Sequence, residues 1–228
     1  MHIHKPKALH GWREFLGEIG VIVCGVLIAI ALDQTVETLH RHAQAREMIR
    51  KLRDESRENL RVIDYDLGVC QRQLPIIDKD VAAVSAARNA RRLPAAPEAL
   101  PSQSLFQPAD AAWITVRDSA LLPIMPKATV DNYWKIDTIN QGLRLRGQDA
   151  GASLRRLHVA TNLAAQRPMD HALANDLQLA LNQFREDALA YCSLARGFRE
   201  VTNKALAGQV IDTVGDLMRA QPAAAGPR

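Results

Sequence analysis

An uncharged apolar block near the N-terminus, Ile19 to Leu32, constrains this chain more than any other feature of its sequence. The block has fourteen residues and lies between two carboxylates, Glu18 and Asp33. Fourteen helical residues would be about 21 Å long, shorter than the roughly 30 Å of a hydrocarbon core. Extension back to Phe15 gives about 27 Å, enough for a thin or locally deformed bilayer. We therefore predict a transmembrane anchor helix over residues 15–32.

The residues before this block are typical of the flank of a membrane helix. Trp12 precedes the block where an interfacial aromatic anchor is expected, and the segment over residues 1–14 is basic, with Lys5, Lys7 and Arg13. Cations are scarcer directly after the block, so positive-inside counting favours a cytoplasmic N-terminus. The sequence thus predicts a single-pass protein of a bacterial inner membrane with a periplasmic C-terminal part.

Two other interpretations of the block stay open. The first is a cleaved signal peptide, because Ala29-Ile30-Ala31 matches a small-x-small cleavage site. Against it, the segment before the block is long and carries Glu14 and Glu18. The second is a soluble core helix, which a short apolar run by itself would fit. Against it, the block has no matching amphipathic face.

Small residues recur within the block at the spacing that lets membrane helices approach closely. Gly20 and Cys24 are four apart, as are Gly25 and Ala29. Glu18 must reach the headgroups, take up a proton or find a partner at the hydrocarbon edge. We predict helix–helix association in the membrane through Gly17, Glu18, Gly20, Cys24, Gly25 and Ala29. The alternative is a carboxylate at headgroup depth and glycines without a role.

Two stretches, FLGEIGVIVCGVLIAIALDQ and MIRKLRDESRENLRVIDYDL, resemble a group of uncharacterised bacterial single-pass membrane proteins. Those proteins have Gly-Glu, an aliphatic run with an internal Gly, and a long helix with a Glu-x-x-x-Asn-Leu element. The likeness covers residues 10 to 75. It implies an anchored helical protein with no assigned activity, and it supplies no catalytic residues that could be carried over to this chain. The matching positions are Gly17, Glu18, Gly25, Ile28, Ala29, Glu55, Asn59 and Leu60.

The rest of the chain predicts an all-α fold, in which the transmembrane helix runs into a long amphipathic helix followed by a helical bundle. Aromatic residues are only 4%, no segment alternates as a strand would, and apolar residues recur every three or four positions. This heptad-like spacing also suggests a coiled coil. The predicted parts are a juxtamembrane helix and a second helix over residues 33–92, a Pro-rich loop over 93–109, a helical domain over 110–219 and a disordered tail over 220–228.

Local signals set the expected helix ends in this region. Pro75 is expected to open the second helix, because proline is favoured in a first turn. Asp110 is expected to cap the third helix, and Asp170 the fifth. The fourth helix is expected from about Thr129, with its buried side at Tyr133, Trp134, Ile136, Ile139 and Leu143, and with weak points at Gly147 and Gly151. A last short helix is expected over residues 209–218.

The sequence carries no recognisable catalytic, cofactor or metal signature. Walker, Rossmann, zinc-protease and nucleophile-elbow motifs are absent, and no histidine pair has ligand spacing. A net charge of +4 with interleaved signs argues against a nucleic-acid partner. Cys70 and Cys192 could pair only in an oxidising compartment, and two buried free thiols are the simpler interpretation.

Large side chains cluster over residues 113–134, where two interpretations are possible. Trp113, Met125, Tyr133 and Trp134 could line a groove for a partner or ligand. Clustered aromatics usually pack, however, so the same residues could form the core joint between the third and fourth helices.

These observations favour a membrane-anchored interaction or accessory protein without catalytic activity. Its expected partners are the lipid bilayer and either a second copy of the chain or another membrane protein. A periplasmic ligand-sensing helical domain is the alternative. An enzyme of unknown type comes third, with Asp118, Ser119 and His158 as the residues to examine.

Overall fold

The computed structural model of the chain describes residues 11–95, 97 and 107–212, apart from the side chains of residues 13 and 14. Within those ranges the fold is all-helical and has no strand, as the sequence predicts. The predicted basic segment before Gly11, the middle of the Pro-rich loop and the predicted tail lie outside the described residues. The helices are α1 (Trp12–Asn89), α2 (Ala111–Arg117), a short 3-10 helix (Leu122–Ile124), α3 (Lys127–Gln166) and α4 (His171–Leu206).

The chain divides into two compact units, Met1–Glu47 and Met48–Arg228, and α1 contributes residues to both. In the first unit, every side chain from Phe15 to Gln44 is exposed. The apolar block is therefore helical, but it is buried against nothing in the described part of the chain.

The second unit is built from the part of α1 after Glu47 together with α3 and α4. Four residues connect α3 to α4, and the two helices form an antiparallel hairpin. The α1 segment runs antiparallel to α4, since Asp66 contacts Tyr191 and Arg88 contacts Gln178. One apolar cluster within this bundle contains Ile77, Val84, Leu157, Ala160, Leu177, Leu181, Phe184 and Ala188.

Helix α4 follows its sequence pattern closely. The spacing of its large apolar residues predicts one buried stripe, and the structure buries all of them except Leu194, which is half-buried: Leu173, Leu177, Leu181, Phe184, Tyr191, Leu194 and Phe198. The helix begins where expected, because the Asp170 carboxylate accepts a hydrogen bond of 2.7 Å from the backbone N–H of Leu173. This bond satisfies one of the free N–H groups of the first turn.

The prediction that Pro75 opens a new helix is wrong, since α1 continues through it to Asn89. Proline inside a helix removes one backbone hydrogen bond and costs about 3 kcal/mol. Pro75 lies on the exposed face, whereas Ile77 and Val84 beyond it are buried in the apolar cluster. Burial of such side chains contributes about 1.5 to 3 kcal/mol each, enough to hold the helix through the proline.

Two other predicted helix boundaries also differ. Gly147 and Gly151 do not interrupt α3, which runs unbroken from Lys127 to Gln166 because packing on α4 outweighs the weak helix propensity of glycine. Residues 209–212 are not helical, and the remainder of the short helix expected there lies outside the described residues. Instead, the Asn132 side chain holds residues 209–212 by two hydrogen bonds. Its amide N–H donates to the Gln209 carbonyl (2.8 Å), and its carbonyl oxygen accepts from the Ile211 N–H (3.2 Å).

Helix α2 is held by side chains of α1 and not by its own cap. The Asn59 side chain bonds both the carbonyl (2.7 Å) and the N–H (2.8 Å) of Ala109, and the Glu55 carboxylate accepts from the N–H of Ala112 (2.9 Å). Asp110 makes no capping bond, which corrects the prediction, and its carboxylate pairs with Arg144 of α3. The Glu-x-x-x-Asn element of the sequence is thus a clamp for the start of α2.

Removal of this clamp should weaken the bundle. We expect Asn59→Ala to lower the free energy of unfolding by about 1 to 2 kcal/mol, because the two polar groups of Ala109 lose their partner. The neighbouring variant Glu58→Ala removes only an exposed ion pair to Arg61 and should cost less than about 0.5 kcal/mol. Urea unfolding followed by tryptophan fluorescence measures both; equal losses would contradict the clamp.

Candidate functional site

The residues predicted to associate in the membrane all lie on α1, within the predicted anchor over residues 15–32. Gly17, Glu18, Gly20, Cys24, Gly25 and Ala29 are exposed. A Cβ atom built on any of the three glycines would meet nothing within 4 Å outside its own helix. These positions are therefore accessible to another helix, and their association remains a prediction.

The aromatic cluster is mostly core. Trp113, Met125 and Tyr133 are buried, and the Trp113 ring stacks on Tyr133 with centroids 6.3 Å apart. Trp134 meets the edge of Trp113 at 6.2 Å but is 56% exposed, so its expected place on the buried side of α3 is wrong. Of the four residues proposed for a groove, only Trp134 has a face that a partner could reach.

A cavity of about 510 Å³ lies among α1, α3 and α4 in the second unit. Its apolar wall includes Leu74, Ile77, Leu154 and Phe184. Its polar wall comes from glutamines at positions 73, 107 and 148, together with Arg155 and His158. This size and mixture are those of small-molecule sites, which are mostly apolar with a few polar groups.

A disulfide forms part of the cavity wall. Cys70 of α1 and Cys192 of α4 are bonded, with Cα atoms 6.1 Å apart. The simpler interpretation of two free thiols is therefore wrong. The physical reason is tertiary: the antiparallel packing of α1 and α4 brings together two buried side chains that are 122 residues apart in sequence.

A buried tyrosine–carboxylate pair lies beside the disulfide. The Tyr191 hydroxyl donates to the carboxylate of Asp66, and both residues are almost completely buried. Burial raises the pKa of Tyr191 well above its usual value, and the bond to Asp66 raises it further. The phenol therefore stays neutral and donates its hydrogen to a side-chain oxygen of Asp66 inside the bundle. Loss of the partner of a buried polar group is costly.

This pair provides a second stability prediction. Tyr191→Phe should lower the free energy of unfolding by about 1 to 3 kcal/mol, the cost of leaving a buried polar group such as the Asp66 side chain without its partner. Tyr133→Phe is the matched control, because its hydroxyl is also buried but accepts only a 3.4 Å bond from Ser56. It should cost less than about 1 kcal/mol. Similar losses in urea unfolding would contradict the assigned importance of Asp66.

The same pair predicts a dependence on alkaline pH. The pKa of Tyr191 is higher in the folded chain than in the unfolded chain, where it is about 10. The resulting stabilisation is fully present below that unfolded value and is lost as the pH rises from there through the folded pKa. Unfolding midpoints of the native chain should therefore fall above about pH 10 more steeply than those of Tyr191→Phe. Parallel curves for the two proteins would count against the pairing.

The residues examined for catalysis are not assembled into a site. The Ser119 hydroxyl donates to the carbonyl of Val116 (2.8 Å) and accepts from the N–H of Leu121 (3.2 Å), which are turn contacts after α2. His158 lines the cavity, and Ser119 does not. In the described part of the chain, no group of three or more His, Cys, Asp or Glu residues is arranged to hold a metal ion.

The cavity is not predicted by any motif in the sequence, although the α3 residues that line it share a recognisable spacing. Gly147, Gly151 and Arg155 are spaced by four residues and His158 follows three later, so all lie on one face of α3. The glycines were interpreted only as weak points of a helix. Comparison of the chain with protein-family models, with curated proteins and with solved structures finds no match.

Proposed function

We propose that this protein is a membrane-anchored helical interaction or accessory protein without catalytic activity. The observation that carries the proposal is an 18-residue window of α1 with a mean hydropathy of 2.6 and none of it buried. Exposure of so much contiguous apolar surface to water would be unfavourable, at about 25 cal/mol per Å². Insertion of residues 15–32 into a bilayer removes this surface from water, which supports the anchor.

The disulfide supports a position of the helical domain outside the inner membrane. Disulfides persist in oxidising compartments such as the bacterial periplasm and are rare in the cytosol. The Cys70–Cys192 bond lies in the second unit, after the anchor. A periplasmic domain also agrees with the cytoplasmic N-terminus that the cations before the anchor favour. Two independent features, charge and cysteine pairing, thus point to one orientation.

The anchor is the proposed contact with a second copy of the chain or with another membrane protein. Its exposed small residues permit close approach of a neighbouring helix, and Glu18 would find a polar partner there. Crosslinking of the full chain in its native membrane should capture a dimer or a specific membrane protein. Recovery of monomer alone, with no co-purifying protein, would contradict this part of the proposal.

Carbonate extraction and a topology reporter test the anchor and its orientation together. The full chain with C-terminal alkaline phosphatase should stay in the pellet after a carbonate wash, keep its full length and show phosphatase activity. The matched fusion with C-terminal green fluorescent protein should show no fluorescence, because its C-terminus is expected in the periplasm. A soluble chain would overturn the anchor, a shortened chain would indicate cleavage, and a fluorescent one would reverse the orientation.

A ligand-sensing domain is the second candidate, and the cavity beside the disulfide is the observation that favours it. Its volume of about 510 Å³ is within the usual range of ligand pockets, about 300 to 1,000 Å³. Binding to the native state must raise the Tm of the full chain. A library of small molecules that leaves the Tm unchanged would count against this candidate.

A further inference from the structure

We propose that the cavity binds a small amphiphilic anion, with an apolar body inside and a carboxylate-type head at Arg155. This inference rests on the ligand-sensing candidate and names its ligand class. The first support is the apolar wall. Ile77 and Phe184 are almost completely buried and line it, so an apolar body would displace poorly bonded water from this surface.

The second support is the sign of the charge around the cavity. Among the residues that line it, Arg155 is a cation and no carboxylate is present. Within the described part of the chain, Arg155 forms no salt bridge, whereas Arg144, Arg146, Arg185 and Arg199 each do. A guanidinium without a carboxylate at the edge of an apolar cavity favours an anion, which it can bind through two parallel hydrogen bonds.

The third support is the pair of glycines on the α3 wall. Neither Gly147 nor Gly151 serves a turn, because α3 is helical throughout, and glycine inside a helix is unfavourable by about 1 kcal/mol relative to alanine. A Cβ at Gly151 would meet only the Arg155 Nη1 atom, at 3.6 Å, and one at Gly147 would meet the Tyr191 ring at 3.5 Å. The missing side chain at Gly151 therefore leaves space next to the Arg155 guanidinium, and the missing side chain at Gly147 leaves space next to the Tyr191 ring; both glycines line the cavity.

The full chain in lipid nanodiscs is the material for the test, with 2-naphthoate as the probe and 2-naphthamide as its neutral counterpart. Titration calorimetry against empty nanodiscs removes the contribution of partition into lipid. We expect 2-naphthoate to bind at least about tenfold more tightly than the amide, because a charge-assisted bond is about twice as strong as a neutral one.

Three variants locate the site. Arg155→Gln should weaken 2-naphthoate about tenfold and leave 2-naphthamide unchanged, since only the charged contact is lost. Arg156→Gln is the matched control, because Arg156 is the adjacent exposed cation and does not line this cavity. Gly151→Leu should abolish binding of both probes by filling the space. It should keep or raise the Tm, because leucine is a much better helix former than glycine, so loss of binding would not reflect unfolding.

The outcomes separate this inference from the function on which it rests. Equal affinity for acid and amide, with both lost in Gly151→Leu, would overturn the anionic ligand and leave ligand sensing in place. Equal weakening by Arg155→Gln and Arg156→Gln would overturn the assigned head-group site. Binding of neither probe would overturn the inference alone, because the ligand-sensing candidate is judged by the Tm of the full chain against a wider library of small molecules, and the membrane anchor by carbonate extraction.

Discussion

The double variant Ile22→Lys/Val26→Lys should move the protein from the membrane to the soluble fraction. Both side chains are exposed on α1 and lie in the middle of the apolar block. Placing a lysine at the centre of a membrane helix costs about 3 kcal/mol, so two substitutions cost about 6 kcal/mol, much of what holds a marginally long anchor in the bilayer. Carbonate extraction followed by ultracentrifugation and immunoblotting measures the distribution.

A matched variant on the same helix provides the control. Val36→Lys/His40→Lys introduces two lysines at the same spacing, also at exposed positions, but after Asp33 ends the apolar block. It changes the total charge almost equally and should leave the protein in the pellet. If both variants were released to the same extent, net charge would explain the result. If neither were released, residues 15–32 would not be the part of the chain that holds it in the membrane.

The double variant Cys70→Ala/Cys192→Ala should lower the free energy of unfolding by about 2 to 5 kcal/mol. The bond closes a loop with a sequence separation of 122 residues, and long loops lose the most conformational freedom in the unfolded chain. It also joins α1 to α4 within the buried core. Tryptophan fluorescence reports the transition in urea, because Trp113 is buried in the same bundle.

Cys24 provides the control for this experiment. Cys24→Ala removes the free thiol of the anchor and should leave the urea midpoint unchanged, because this side chain is exposed in the first unit. Reduction of the native chain should reproduce the midpoint of the double variant. An unchanged midpoint in both the reduced chain and the double variant would show that antiparallel packing of α1 and α4 suffices without the bond.

Signals that act within one or two helical turns were reliable guides to the structure. Asp170 caps α4 because its carboxylate reaches an N–H only three residues away, and the stripe from Leu173 to Phe198 is buried because its spacing places it on one face. The same local logic failed where a distant element competed. Pro75 was expected to start a new helix, but α1 continues through it. Asp110 was expected to cap α2, but it pairs with Arg144, and the start of α2 is held by Glu55 and Asn59 instead.

The candidate cavity was the least accessible part of the structure to sequence analysis. Gly147, Gly151 and Arg155 share a face of α3, but a face has a cavity only if the opposing helices leave one. Exposure of Trp134 beside buried Trp113 likewise depends on how α3 is rotated against its neighbours. The rotation of α3 about its own axis cannot be inferred from residue spacing or from composition.

By itself, the sequence determined that the fold of the described residues is all-helical, where α4 begins, and that Ile19 to Leu32 form a continuous uncharged apolar stretch. Propensity, capping and hydropathy depend on neighbours along the chain, which is why these features were accessible. Only the tertiary structure decided the Cys70–Cys192 bond, the Asp66–Tyr191 pair, the continuity of α1 through Pro75 and the cavity. Each of these depends on contacts between segments far apart in sequence, whose free energy exists only once the antiparallel bundle has formed.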